Sequence, residues 1–86
     1  MSKEGVVESR GVVEECLPGA IFKVKIFEIR AGDDYLTIPE EEERYAQCTI
    51  SGRVRKNRVR ILPGDIVQIE SSLYDLEKGR IVFREK

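Results

Sequence analysis

Turn-forming residues interrupt this chain of 86 residues at short intervals: Gly11, Pro18-Gly19, Gly32-Asp33, Pro39, Pro63-Gly64-Asp65 and Gly79. The segments between them are short, and several alternate apolar with polar residues, as half-buried strands do. Phe22, Val24 and Ile26, for example, alternate with Lys23 and Lys25. Short alternating segments bounded by turns are typical of a small all-β protein. The length is sufficient for a single domain, residues 1–86.

Five strands are predicted, at residues 6–16, 20–29, 44–50, 66–71 and 80–84. Gly11 predicts a bulge or bend that lets the first strand serve two sides of a barrel. The last strand is expected to point Ile81 and Phe83 inward, and Phe22 is also expected in the core. A short helical turn is predicted between strands 3 and 4. This layout matches a five-stranded OB-fold barrel, with an SH3-like barrel as the nearest rival.

The densest positive charge of the chain lies in residues 53–60, RVRKNRVR, which we call the basic strip. It holds five cations, and no acid occurs from Ser51 to Gly64, although the whole chain has a net charge of -1. Val54, Val59, Ile61 and Leu62 are expected to anchor the strip to the folded body. Arginine offers a planar fork of donors that matches phosphate oxygens. The strip therefore favours nucleic acid as its partner, the alternative being a solvated face paired with acids of the same chain.

Two other segments are charged. Near the end of the chain, Tyr74 is a candidate stacking platform, and Lys78 and Arg80 flank Gly79, where backbone can approach a ligand. Arg84 and Lys86 belong to the same set, although nearby acids dilute its charge and Tyr74 could instead cover a barrel end.

Residues 30–43 hold six acids against one arginine. They predict a solvated, mobile inserted loop between strands 2 and 3, the alternative being a contact with a basic partner.

Composition argues against catalysis and metal binding. The chain has no histidine, and its two cysteines, Cys16 and Cys48, are far apart in sequence. Two buried, reduced thiols are expected, with a disulfide as the alternative. No nucleophile–base pairing or phosphate-binding glycine loop is present, so we expect neither enzyme activity nor a cofactor. No apolar run could span a bilayer and the N-terminus does not resemble a secretory signal, so a cytoplasmic protein is expected.

Three blocks resemble bacterial-type translation initiation factor one, a small OB-fold (S1-like) protein family: GVVEECLPGAIFKV, TISGRVRKNRVRILPGD and YDLEKGRIVFR. The resemblance implies a monomeric factor at the aminoacyl-tRNA (decoding) site of the small ribosomal subunit. There it would contact rRNA and a neighbouring ribosomal protein, block premature tRNA entry and cooperate with the other two initiation factors. The rRNA-binding residues that it implies are Arg53, Arg55, Lys56, Asn57, Arg60, Tyr74, Lys78 and Arg80. Arg58 is a further candidate, because it adds a cation that could contact phosphate.

The chain departs from the family pattern at three places. Thr49 stands where many members have histidine, Arg58 stands where an aromatic residue is common, and the acidic segment replaces a tight turn.

Two other functions remain open from the residues alone. One is a general single-stranded RNA or DNA binder of cold-shock type, for which the chain has few aromatic residues. The other is a protein adaptor that uses the acidic segment, which leaves the basic strip without a role.

Overall fold

In a computed structural model of the protein, which describes residues 5–52, 54 and 60–85, strands form most of the described chain. They are β1 (Val6–Leu17), β2 (Ile21–Ala31), β3 (Asp34–Thr37), β4 (Tyr45–Ile50), β5 (Ile66–Ser72) and β6 (Asp75–Arg84). The order β1-β5-β6-β4-β2 closes into a ring because β2 also pairs with β1, and β3 extends the sheet from β2. β4 and β6 run parallel and the other neighbours antiparallel. The predicted five-stranded OB-fold barrel is confirmed.

β1 closes the barrel by pairing with two neighbours. Its first half lies against β5 and most of its length against β2, with a register shift between Arg10 and Gly11. A Cβ atom at Gly11 would lie 2.5 Å from Cγ1 of Val24 and 2.7 Å from the carbonyl oxygen of Lys25. Glycine is therefore required at this bend because β1 and β2 approach too closely for any side chain.

The core is formed by the inward-facing apolar residues of the barrel strands, as their alternation predicts. It also includes two residues from the segment between β4 and β5, Val54 and Ile61, at the two ends of the basic strip. Among the described residues, the buried apolar side chains are Val13, Phe22, Val24, Ile26, Ala46, Cys48, Val54, Ile61, Val67, Ile69 and Ile81.

Helical conformation in the described residues is limited to a 3-10 turn at Glu40–Glu42 and to Gly52 and Val54. The latter two belong to the helical turn predicted between the third and fourth barrel strands. The rest of that turn lies outside the described residues. No helix in the described part of the chain is long and apolar enough to cross a membrane.

The acidic segment differs from the expected mobile loop because it contains β3. Ala31 pairs with Asp34, so a two-residue turn formed by Gly32 and Asp33 joins β2 to β3. Gly32 has φ of +65°, a value suited to the first central residue of a type II′ hairpin turn. β3 then pairs with the last four residues of β2. The insertion therefore lengthens a hairpin of the barrel, and we call β3 with this end of β2 the distal hairpin.

β3 and β4 both pair with β2, and the short segment between them leaves the sheet. The amide of Ile38 donates to the carbonyl of Phe27 at 2.8 Å, and the carbonyl of Arg44 accepts from the amide of Ile26 at 2.8 Å. Neighbouring residues of β2 are thus bonded to residues on either side of the segment 39–43. β3 and β4 form one interrupted strand along β2, and residues 39–43 protrude from it as an acidic bulge.

Phe83 lies outside the core, contrary to the expectation from its alternation with Ile81. β6 begins at Asp75 rather than Arg80, and its register with β5 shifts between Gln68 and Ile69. Ile69 pairs with Ile81 and Gln68 pairs with Phe83, so Val82 is an extra residue. This bulge reverses the inward and outward phase of the strand. Phe83 is consequently 54% exposed, whereas Ile81 is fully buried.

The two cysteines lie in different environments and are both free thiols. Cys48 is buried between β2 and β6, and burial raises the pKa of its thiol to about 12. Cys16 is exposed near the end of β1, so the expectation that both are buried is wrong for this residue.

Candidate nucleic-acid interface

The basic strip is anchored to the barrel at both ends. Val54 is 3% exposed and Ile61 is 6% exposed, and both belong to the core cluster. Arg60 lies between them along the chain and is exposed. The predicted RNA-binding residues Arg53, Arg55, Lys56, Asn57 and Arg58, and the predicted anchor Val59, lie outside the described residues.

Ser51 fixes the entry to the strip. Its amide donates to the carbonyl of Ile81 at 2.9 Å, which continues the β4–β6 ladder by one residue. Its Oγ accepts a hydrogen bond of 3.3 Å from the amide of Val54. This is the geometry of a helix N-cap, in which a serine oxygen satisfies an early amide of the helical turn. The serine before the strip thus links β6 to the first turn.

Asp65 fixes the exit from the strip. Its Oδ2 accepts from the amide of Leu62 at 2.8 Å and from Nε of Arg84 at 3.1 Å. Its backbone amide donates to the carbonyl of Leu62, and its carbonyl accepts from the amide of Val13. Arg84 is therefore engaged in holding this turn, and Lys86 lies outside the described residues. An anchored segment loses less conformational freedom on binding than a free tail does.

Three predicted RNA-binding residues follow β6 toward the strip. Tyr74 is 91% exposed on the β5–β6 turn, where its amide donates to Oγ of Ser72, so it does not cover a barrel end. Lys78 and Arg80 are exposed, and two positions apart on a strand they point to the same side. Ile81, the residue after Arg80, accepts the amide of Ser51. The cations of β6 thus lead directly to the start of the basic strip.

Arg80 carries a surface ion pair. Its Nη2 lies 3.0 Å from Oε1 of Glu70, with side chains 53% and 20% exposed. Pairs of this exposure contribute about 0–1 kcal/mol, so a phosphate can replace the carboxylate at little cost. Lys78 forms no ion pair within the described residues.

Gly79 serves packing rather than ligand approach. A Cβ atom there would lie 2.6 Å from Cγ2 of Ile69 and 2.9 Å from Oγ of Ser71. The glycine lets β6 lie close against β5. This corrects the expectation that the missing side chain makes room for a ligand.

We call the surface that carries Lys78, Arg80 and Arg60 the cationic face. Sequence reasoning missed Lys23 and Tyr45 as members of it. Gln47 pairs with Lys23 on one side and with Lys78 on the other, so the two lysines share a cross-strand row on the outer face of the barrel. The Nζ of Lys23 lies 4.6 Å from the centre of the Tyr45 ring. Alternation along β2 shows that Lys23 points outward. It does not show which strand lies beside it.

A concave region of about 510 Å³ borders the start of the basic strip, since Ser51, Gly52 and Arg80 belong to its lining. The carboxylates of Glu8 and Glu70 and the exposed rings of Tyr35 and Phe83 line it as well. The two carboxylates disfavour a polyanion there. The described residues contain no group of three or more cysteine, aspartate or glutamate side chains placed to hold a metal ion.

The barrel has a counterpart among solved structures. A solution structure of translation initiation factor one from the Wolbachia endosymbiont strain TRS of Brugia malayi is 35% identical in sequence. The match covers 96% of this chain and 82% of that chain, with a TM-score of 0.67. The chain belongs to the translation initiation factor one family. The resemblance seen in the three sequence blocks is thereby confirmed. No protein-family model matches the chain.

Proposed function

We propose that this member of the initiation factor one family acts as a non-enzymatic translation initiation factor that binds the small ribosomal subunit. Its site would be the aminoacyl-tRNA (decoding) site, where it contacts rRNA and a neighbouring ribosomal protein and blocks premature tRNA entry. It would work in the cytoplasm as a monomer, together with the other two initiation factors. Family membership supports the role in initiation, and the surface chemistry supports RNA as the partner.

The observation that carries this proposal is the hydrogen bond from the amide of Ser51 to the carbonyl of Ile81. It joins the residue before Gly52 and the basic strip to the β6 residue that follows Arg80, so the cations of β6 lie beside the point where the strip begins. A continuous basic surface can neutralise several phosphates of one RNA segment. The proposed contacts are Arg53, Arg55, Lys56, Asn57, Arg58, Arg60, Tyr74, Lys78 and Arg80.

A general binder of single strands would need a different surface. Such proteins stack successive bases on neighbouring aromatic side chains. Here Tyr74 lies on a turn, and the exposed rings of Tyr35 and Phe83 line a region that also holds Glu8 and Glu70. One ring on a turn and two rings beside carboxylates do not form a row of stacking platforms, which favours a structured RNA surface as the target.

Chemical footprinting of small-subunit rRNA with and without the protein tests this function. Protection confined to the decoding region is the expected result. Arg60→Glu should weaken co-sedimentation with small subunits because it reverses an exposed charge at the strip, while the unfolding midpoint should stay unchanged. Protection elsewhere on the subunit, or equally tight binding to random single-stranded RNA, would contradict the proposal.

A further inference from the structure

The outer edge of β3 is an open sheet edge. The amide of Ile38 donates to Phe27 of β2, and alternate residues of an antiparallel strand face the same neighbour. The backbone groups of Tyr35 and Thr37 therefore point away from β2. No described residue forms a backbone hydrogen bond with this edge. It offers two N–H groups and two C=O groups to an added strand.

Native proteins protect such edges with charged residues, proline, bulges or a covering element, or keep the edge strand very short. β3 is short and flanked by acids, but it has neither lysine nor proline, all four of its residues are exposed, and Leu36 is 62% exposed. Leu36 pairs with Ile29, which packs against the core, so the apolar surface continues beyond the barrel onto the distal hairpin. An added strand would find backbone partners and an apolar side chain together.

Acidic side chains stand at both ends of this edge. Asp33 and Asp34 are exposed at the hairpin turn, and residues 40–43 of the acidic bulge, all glutamates, are exposed at the other end. Among the described residues, Arg44 forms the one ion pair with these six acids, through Glu42. Their combined field attracts cationic chains and repels nucleic acid. A second copy in antiparallel edge contact would place the acids of one chain against those of the other.

We propose that β3 binds an extended, lysine- and arginine-rich segment of a partner protein as an additional strand. Backbone hydrogen bonds to Tyr35 and Thr37 would give the register, and the flanking acids would select a basic sequence. This protein-binding edge uses the backbone of β3 rather than the cations proposed for rRNA, although Tyr35 and Arg80 line one concave region. It goes beyond the proposed function, and its test uses no ribosome, so either proposal can fail without the other.

The probe is a fluorescein-labelled peptide of about ten residues in which lysine alternates with threonine. Fluorescence anisotropy with the full chain should show saturable binding that weakens as salt rises. The matched control peptide has the same sequence and charge but carries N-methyl groups at every backbone amide. Methylation then removes the amide donors from both edges of the peptide, so binding should weaken by about tenfold or more.

Variants of the chain test the same edge. Thr37→Pro removes the outward N–H group while leaving the β2–β3 bonds in place, because proline is tolerated on an edge strand. It should lower peptide affinity by about tenfold, whereas Thr37→Val, which keeps the amide, should bind as the wild type does. The triple variant Glu40→Gln, Glu41→Gln, Glu43→Gln should bind more weakly and with less salt dependence.

Strand addition is overturned if the methylated and unmethylated peptides bind equally, since charge alone would then account for binding. Absence of peptide binding also overturns it. So does a salt-resistant dimer of the wild-type chain that Thr37→Pro abolishes, because a second copy would then occupy the edge. If Thr37→Pro fails to fold, as judged by its urea midpoint, the two peptides on the wild-type chain decide the question alone.

Discussion

Arg10 and Glu85 form a two-pronged ion pair, in which Nε donates to Oε2 and Nη2 donates to Oε1, each at 2.7 Å. Nη1 of Arg10 also lies 2.8 Å from Oε2 of Glu28, and its guanidinium lies 5.4 Å from the centre of the Phe27 ring. One arginine on β1 thus joins β2 to the residue that follows β6. The hydrogen bonds from Arg10 lower the pKa of the Glu85 carboxyl.

We expect Glu85→Gln to reduce the free energy of unfolding by about 1 kcal/mol at neutral pH, since a partly exposed bidentate pair loses its charge. The folded state lowers the pKa of Glu85, so its stabilisation is present above the ordinary glutamate pKa of about 4.3. It is lost as the pH falls through the lower pKa of the folded state. Urea unfolding of both proteins across this range should show their curves converging in acid.

Glu77→Gln is the matched control for that measurement. Glu77 is exposed on β6, and no ion pair involves its carboxylate within the described residues. Its replacement should change the free energy of unfolding by less than about 0.5 kcal/mol at any pH. A difference between Glu85→Gln and the wild type that persists unchanged into acid would show that charge pairing with Arg10 is not its cause.

A methyl group at Gly11 should destabilise the barrel. The added Cβ of Gly11→Ala would overlap Cγ1 of Val24 at 2.5 Å and a backbone oxygen of Lys25 at 2.7 Å. Because the backbone atom cannot rotate away, we expect a loss of about 1–3 kcal/mol in thermal or urea unfolding. Gly52→Ala, where the added methyl meets no atom within 4 Å, is the control and should change stability little. Equal effects at both sites would rule out close strand approach as the reason for Gly11.

The bulge at Val82 predicts opposite outcomes for two phenylalanines that the sequence places together in the core. Phe22 is 8% exposed and Phe83 is 54% exposed. Phe22→Ala should cost about 3–5 kcal/mol in unfolding free energy, as for other buried aromatic residues. Phe83→Ala should cost less than about 1 kcal/mol, because its ring is already half in water. A cost at Phe83 as large as that at Phe22 would mean that β6 keeps an unbroken alternation.

The exposure of Phe83 shows why alternation alone does not fix which side chains are buried. A period of two predicts Ile81 and Phe83 on one face, and this holds only while the two strands stay in register. The extra residue depends on how β6 meets β5, which is a tertiary relationship. Four of the five predicted strands are found within a few residues of their expected bounds, and β6 begins earlier. Its early part carries polar side chains on a surface strand, without an apolar pattern to mark it.

The acidic segment departs from its predicted structure for a related reason. Six acids suggest a solvated loop, yet Tyr35 and Leu36 pair with β2 after a turn that Gly32 makes possible. The Gly-Asp pair is visible in the sequence as a turn, but the continuation of β2 beyond the barrel is not. Local charge therefore identifies the bulge at residues 39–43, while strand pairing decides the structure of residues 34–37.

Removing single charges from the cationic face should weaken ribosome binding in a salt-dependent way. Lys78→Gln and Arg60→Gln each remove one exposed cation, so the slope of log affinity against log salt should fall by about one for each phosphate that is no longer neutralised. Quantitative co-sedimentation with small subunits at several salt concentrations measures this slope. Arg44→Gln, which removes an exposed arginine paired with Glu42 beside the acidic bulge, should leave the slope unchanged. If the Lys78 and Arg60 variants keep the slope of the wild type, as Arg44→Gln is expected to, neither residue is a phosphate contact.

The two thiols should react at very different rates in the folded protein. Cys16 is exposed, whereas Cys48 is fully buried and its pKa is raised to about 12 by burial. The thiolate is the reactive form, so at about pH 8 an aromatic disulfide reagent should titrate one thiol quickly and the second only after unfolding. Cys16→Ser should abolish the fast phase and keep the slow one, and Cys48→Ala should do the reverse. Rapid reaction of both thiols in the native wild-type protein would mean that β4 opens readily and that the core at Cys48 is not closed to solvent.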